Sequence, residues 1–173
     1  MDFNKVLNHR RSVRSFTNEQ LTDSQILELK NSVLKVPSAK SIYPWKLYFI
    51  TNKEKIEILS RFKSSSGFIK QAPLHVVVTA DTSLSDMWIE DCSIVATYLL
   101  LKAVDLGLGA CWLQVRNRQH NDKISARQYI LNHLDLSETF GIECIIAIGH
   151  PESEPVPHYE QHTNNKYKIV DIT

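Results

Sequence analysis

The sequence predicts an α+β sandwich, on three observations. Four short runs rich in apolar and β-branched residues read as strands: 46–51 (KLYFIT), 74–80 (LHVVVTA), 110–115 and 143–148 (ECIIAI). Segments with apolar residues at helical spacing come before and between them. One of these, 87–106, is apolar nearly all round, which implies a central helix or one packed against a partner chain.

In chain order, 2–9 reads as a short helix leading into Arg10-Arg11-Ser12-Val13-Arg14. That stretch sets three guanidinium groups and a hydroxyl within five residues. So dense a cluster in a near-neutral chain suits one compact anion, because the planar guanidinium fork binds phosphate or carboxylate oxygens bidentately. A solvated helix end, with Arg10 and Arg11 complementing the helix dipole, is the plainer alternative. Thr22 with Gln25 forms a capping-box pattern, and Ile26, Leu29, Val33 and Leu34 follow at helical spacing, so 23–35 is expected to be an amphipathic helix. Pro37 ends it, and a loop of small residues runs to Trp45 before the first strand. A helix is expected over 53–62, broken by Ser64-Ser65-Ser66-Gly67 ahead of the second strand.

The long segment 87–106 carries Trp88, Cys92, Val95, Ala96, Leu99, Leu100 and Ala103 on one broad face. Ile94, Leu101 and Val104 extend beyond it, and Gly107 suits the position just past the helix end. A strand over 110–115, a helix over roughly 124–134 and a buried strand over 143–148 complete the core. The tail is Pro-rich from Pro151 and ends in Tyr167–Ile172, which alternates like a strand. Such an end can add to a sheet edge in another chain, or it can fray.

Composition narrows the function. The 173 residues suit a single domain, 1–173, with 151–173 as an extended arm. Hydrophobic residues at 43% are enough for a core. Lys plus Arg (20) nearly equals Asp plus Glu (19), so no charge excess favours nucleic acid. The most apolar stretch, 89–108, carries Glu90, Asp91, Lys102 and Asp105, which a membrane span would not tolerate, and the start MDFNKVLNHRRS has no apolar signal core. Both features point to the cytoplasm. Cys92, Cys111 and Cys144 stand far apart among apolar neighbours, as buried thiols do. His158 and His162 are four apart but follow prolines and lack the glutamate of a metal helix, so no metal site is expected. Gly107-Leu108-Gly109 lacks the third glycine of a dinucleotide loop and follows a helix rather than a strand. There is no P-loop, no GxSxG and no paired-carboxylate pattern, so no catalytic side chain is assigned.

Four motifs in order carry a family resemblance. They are Arg10-Arg11-Ser12-Val13-Arg14-Ser15-Phe16; Pro37-Ser38-Ala39-Lys40-Ser41-Ile42-Tyr43-Pro44-Trp45; Gly107-Leu108-Gly109-Ala110-Cys111-Trp112; and Gly149-His150-Pro151. Together the chain resembles the FMN-dependent nitroreductase family over nearly its whole length. The resemblance implies a three-layer α/β/α sandwich with a mainly antiparallel sheet and an interlocked homodimer, with FMN between the subunits and NADH or NADPH as hydride donor. By position, it implies that Arg10 and Ser12 hold the FMN phosphate, and that Arg14 lies near the flavin N1 and C2 carbonyl. It also implies that Pro37, Ser38, Ala39, Lys40 and Ser41 wall the cofactor from the other subunit, and that the backbone of Cys111, Trp112, Leu113 and Gln114 faces the flavin N5 edge. Ser41 and Tyr43 stand where the family has Asn and Gln. His158 stands where the family often has a tail Lys or Arg as a second phosphate clamp, and Arg11 or a tail lysine is the candidate to compensate. The expected activity is ping-pong hydride transfer to a nitroaromatic, quinone or similar planar acceptor. A flavin-sequestering protein without efficient turnover is the alternative, and a small nucleic-acid-binding module is the third.

Overall fold

The computed structural model describes residues 2–158, 170 and 172. Its elements, in chain order, are α1 (Phe3–His9), α2 (Asp23–Val33), β1 (Trp45–Ile50), α3 (Lys53–Leu59), β2 (Leu74–Asp81), α4 (Trp88–Asp105), β3 (Gly109–Gln114), α5 (Ala126–Leu134) and β4 (Phe140–Gly149). Short 3₁₀ turns at Ala39–Ser41 and Gly67–Gln71 lie in the loops. The strand expected over Tyr167–Ile172, and His162, fall outside the described residues apart from Val170 and Ile172.

The four strands form one sheet in the order β1-β2-β4-β3, every pair antiparallel. Val78 lies opposite Leu47 on one side and Cys144 on the other, and the register slips between Val78 and Thr79. Side chains alternate across the sheet, so each strand feeds two cores. Leu74, Val76, Val78, Cys144, Ile146 and Ile148 pack against α2 and α4, with Leu29, Val33, Cys92, Val95, Ala96, Leu99 and Ala103. On the other face, Val77, Cys111, Leu113, Ile142, Ile145 and Ala147 pack against Leu59, Phe62, Ile69, Ile130 and Leu131. The result is the expected three-layer α/β/α sandwich.

Local signals explain the element ends. Thr22 accepts from the Gln25 N–H at 3.2 Å, and its own N–H donates to Gln25 Oε1 at 2.8 Å, so both halves of the capping box form. At the end of α4, Gly107 N–H donates to Val104 O and Leu108 N–H to Ala103 O, a Schellman closure. It needs the left-handed backbone that Gly107 adopts at φ +74°. Gly109 serves a different need: a Cβ there would sit 2.9 Å from the Val13 side chain, so the arginine segment packs directly on the start of β3. The Gly-Leu-Gly sequence is thus a helix stop and a docking notch.

Most bounds lie within two residues of the sequence expectation, α2 for example ending at Val33 rather than 35, and two differ by three residues. β4 begins at Phe140 rather than 143, because Gly141 lets Trp88 pack where a Cβ would clash. α3 stops at Leu59, because Ser60 turns its hydroxyl back to Glu57 O at 2.7 Å. The three cysteines are buried free thiols, and burial, reinforced by Glu143 and Asp91, pushes the Cys92 thiol up to about 12.

His75 in β2 is fully buried, with Nε2 on Ile69 O at 2.8 Å. Burial lowers its pKa from 6.5 to about 4. The unfolded chain therefore binds a proton near pH 6.5 that the folded chain refuses until about pH 4. Stability rises with pH across that window, and the gap corresponds to about 3 kcal/mol. His75→Gln keeps a donor for Ile69 O without the titration. In urea unfolding, the stability lost between pH 7 and 4.5 is expected to be smaller in this variant by roughly that amount.

Candidate functional site

β3 is an edge strand. One side pairs with β4, and the other carries a row of backbone groups that no strand covers among the described residues. The arginine segment caps the start of this edge: Ser12 bridges Ala110 in parallel sense, and Val13 N–H donates to Ala110 O at 3.0 Å. Strand alternation then places the backbone of Trp112 and Gln114 on the open edge, while Cys111 and Leu113 turn their backbone to β4 and their side chains into the core. At the far end, Lys63 Nζ donates to Gln114 O at 3.2 Å. Of the four β3 residues expected to face a cofactor edge, Trp112 and Gln114 have the geometry to do so.

The N-terminal strap is held from several sides. Phe16 is buried and bridges Pro151, and Thr17 N–H donates to His150 O at 2.9 Å. These contacts bring the first and fourth sequence motifs together. The tail is tied to the same place: His158 N–H donates to Asn8 O at 2.7 Å. The His158 ring lies between two guanidiniums, with Arg10 Nη2 3.2 Å from Nε2 and Arg11 Nη1 3.4 Å from Nδ1. A neutral imidazole accepts at one ring nitrogen only, so the ring serves as acceptor for one of the two guanidiniums at a time. Neither arginine has a carboxylate partner among the described residues. Three residues placed together by motif position, Arg10, Arg11 and His158, are therefore together in space, with Ser12 beside them on β3.

Arg14 is exposed one step further along. Burial raises the Cys111 thiol, and the positive charges of Arg14 and then Lys63 offset part of that rise, so both cations flank this strand. Lys63 was not singled out by sequence; a lone lysine ahead of a serine run carries no signal of its own.

The loop 37–45 lies elsewhere. Lys40, Ser41 and Tyr43 all have left-handed backbone, with φ of 52°, 55° and 51°. Asp91, in the first turn of α4 and 2% exposed, holds this conformation. Its Oδ2 accepts from Ser38 Oγ at 2.8 Å and its Oδ1 from Ala39 N–H at 2.9 Å. Ser38 Oγ accepts in turn from Tyr43 N–H at 2.9 Å. Pro37, Lys40 and Ser41 remain exposed. The loop is anchored at the start of α4, whereas Val13 and Gly109 meet beyond its end, and an 18-residue helix spans on the order of 27 Å. Within one chain, then, Pro37–Ser41 and Arg10–Ser12 are far apart. Asp91 was noted in the sequence only as a charge in an apolar segment. Its place beside Trp88 and Cys92 on the core-facing side was the available sign that it needs buried partners.

Asp91→Ala would strand the Ser38 hydroxyl and the Ala39 N–H, at a cost of about 2–3 kcal/mol. The expected outcome is a lower melting temperature together with rapid tryptic cleavage after the exposed Lys40, read by mass spectrometry. An intact loop that resists trypsin in this variant would show that the backbone holds itself.

Comparison with known proteins agrees with this geometry. The family model described as Nitroreductase family matches residues 7–86 and 59–150. An FMN-dependent nitroreductase from Clostridium difficile superposes with a TM-score of 0.91 at 36% identity, covering 96% of each chain. A candidate NADH dehydrogenase/NAD(P)H nitroreductase from Archaeoglobus fulgidus is 29% identical over 154 residues, 87% of this chain and 86% of its own. The NADPH-flavin oxidoreductase of Vibrio harveyi is 26% identical over 188 residues, covering 96% of this chain and 75% of its own. With its fold, its four motifs and these matches in agreement, the chain belongs to the nitroreductase family.

Proposed function

We propose that the chain is an FMN-dependent NAD(P)H oxidoreductase that works as a homodimer, reducing a nitroaromatic, quinone or similar planar acceptor. The observation that carries this reading is the convergence of Arg10 and Arg11 on His158 beside Ser12, at the head of an open strand edge. Two guanidiniums with no carboxylate partner among the described residues suit a terminal phosphate dianion, and the chain offers no Rossmann loop for a pyrophosphate. When bound, FMN supplies two-electron hydride chemistry, loaded from NADH or NADPH and discharged to the acceptor in separate half-reactions.

The chain's own groups bind and orient. Arg10, Arg11, Ser12 and His158 hold the phosphate. Arg14 brings positive charge toward the N1 and C2 carbonyl region. Trp112 offers its backbone N–H and C=O to the ring edge, and Gln114 its N–H. Pro37–Ser41, too far from Arg10 within one chain, come from the second copy and exclude water from the outer face. The tail 151–173 is read as an arm of the single domain that crosses to the partner. A cytoplasmic location is part of this reading, and the three free thiols support it. Among the described residues no helix is long and apolar enough to cross a membrane.

The dimer reading is supported by α4. Ile94 and Tyr98 are each 37% exposed on its outer side, and Phe3 and Leu34 are exposed on the neighbouring α1 and α2. Phe3, Leu34 and Tyr98 border an open groove of about 790 Å³, and Ile94 lies one turn of α4 before Tyr98. Apolar surface of this kind marks an interface. Ile94→Glu should turn the dimer into a monomer in sedimentation velocity and release bound flavin with it. A dimeric variant would place the interface elsewhere.

The purified protein should be yellow and should bleach on anaerobic addition of NADH or NADPH. Heat release and chromatography should recover FMN; recovering FAD, or no flavin after reconstitution with FMN, would overturn the reading. Slow or absent bleaching with FMN bound would favour flavin sequestration. Arg10→Ala should weaken FMN binding roughly tenfold to a hundredfold, and more than Arg11→Ala, as a charge-assisted phosphate contact is lost.

A further inference from the structure

We propose that the pocket at the end of β3 is a second anion site, which recognises a carboxylate or phosphate carried by the reacting partner rather than by the cofactor. The pocket has a volume of about 460 Å³ and is lined by Lys63, Trp112, Gln114, Arg116, Asn117 and Arg118. The inference rests on the flavoenzyme reading above, in which this end of the open edge is where donor and acceptor dock.

The floor of the pocket is already neutralised. Glu143 is 3% exposed, and both its oxygens are taken: Oε2 by Arg116 Nε at 2.7 Å and Oε1 by Gln114 Nε2 at 2.9 Å. Trp112 Nε1 closes the chain on Gln114 Oε1 at 2.9 Å. Arg116, Gln114 and Trp112 are thereby fixed in place, and the Arg116 charge is balanced by that of Glu143.

Lys63 and Arg118 are additional. Lys63 donates to Gln114 O and sits 5.2 Å from the Phe62 ring centroid, and Arg118 donates to Asn117 O at 3.2 Å. Neither has a carboxylate partner among the described residues. They are close enough for like-charge repulsion: burial first, and then the charge of Arg118, lowers the Lys63 ammonium below the ordinary lysine value. Nor is Arg118 on a loose loop. Its N–H donates to Val115 O at 3.1 Å, its C=O accepts from Ala126 N–H at 2.9 Å, and Asn117 supplies the left-handed turn residue at φ 57°. Two cations held together without a counter-ion are unfavourable, and one oxyanion between them reverses that cost.

The pocket is distinct from the phosphate cluster. Gln114 lies four residues along β3 from the Ser12–Ala110 bridge, roughly 13 Å at strand rise. A phosphate held at Arg10 is therefore not the group that fills this pocket. Two sources have the right chemistry: the 2′-phosphate of NADPH and a carboxylate on an aromatic acceptor.

The test uses the holoprotein and two matched probe pairs in isothermal titration, NADP⁺ against NAD⁺ and 4-nitrobenzoate against 4-nitrobenzyl alcohol. The parent should bind at least one probe that carries the extra anionic group about tenfold tighter than its match without that group, the size expected for a charge-assisted contact. Lys63→Met with Arg118→Gln should abolish that difference. A preference confined to the NADP⁺ pair identifies the donor as the source, and one confined to 4-nitrobenzoate identifies the acceptor. Should the pair of changes prevent folding by circular dichroism, Arg118→Gln alone, at an exposed position, should reduce the preference several-fold. No preference in the parent overturns the proposal, as does a preference that survives substitution. Loss of FMN affinity with unchanged discrimination also overturns it, since the cations would then serve the cofactor. If the parent takes up no flavin, the functional reading fails, while the same titrations on flavin-free protein still decide the pocket.

Discussion

The exposed edge of β3 is the constraint on which the site depends. An edge strand must satisfy, cover or use its outward N–H and C=O groups. Here the edge is covered at both ends and open between. Ser12 and Val13 cover Ala110, and Lys63 covers Gln114 O. Each cover is itself a chain segment that brings cations: the first comes with Arg10, Arg11 and Arg14, the second with the Arg118 turn nearby. The same hydrogen bonds that close the sheet thus place positive charge at both ends of an open backbone row.

That placement explains how a chain of net charge +1 presents a strongly cationic surface. Several of its acids are engaged in ion pairs on other elements, such as Glu57 with Arg61 and Glu28 with Lys102. One acid, Glu143, serves the edge, and it is consumed internally by Arg116 and Gln114. Local field rather than total charge decides what such a surface attracts. A balanced composition excluded a polyanion but was no obstacle to a small phosphate.

α4 sets the larger geometry. Its core side buries Cys92, Val95, Ala96, Leu99 and Ala103 against the sheet. Its first turn pins the Pro37–Trp45 loop through Asp91, and the closure at Gly107 delivers the chain into β3 under Val13. One rigid helix therefore separates two pieces of the candidate site by most of its length. In the dimer proposed above a second copy would present this loop to the arginines, and the exposed Ile94 and Tyr98 lie on this same helix.

Sequence alone determined the elements and the charge cluster, because both rest on short-range rules. Period-two runs, the Thr22–Gln25 box, the stop at Pro37 and the glycine after α4 are decided within a few residues of chain. The motif order was equally readable, and it placed His158 near the arginines through correspondence with a family. Tertiary structure decided the rest. That Gly109 is a notch for Val13, that Asp91 clamps a strained loop, and that Glu143 neutralises Arg116 all depend on residues separated by dozens of positions. So does the meeting of Lys63 with Gln114 and Arg118. Such pairings are set by strand order and by which face of the sheet a side chain occupies. Neither leaves a periodic trace in the sequence, because a buried carboxylate and a solvated one are written with the same letter.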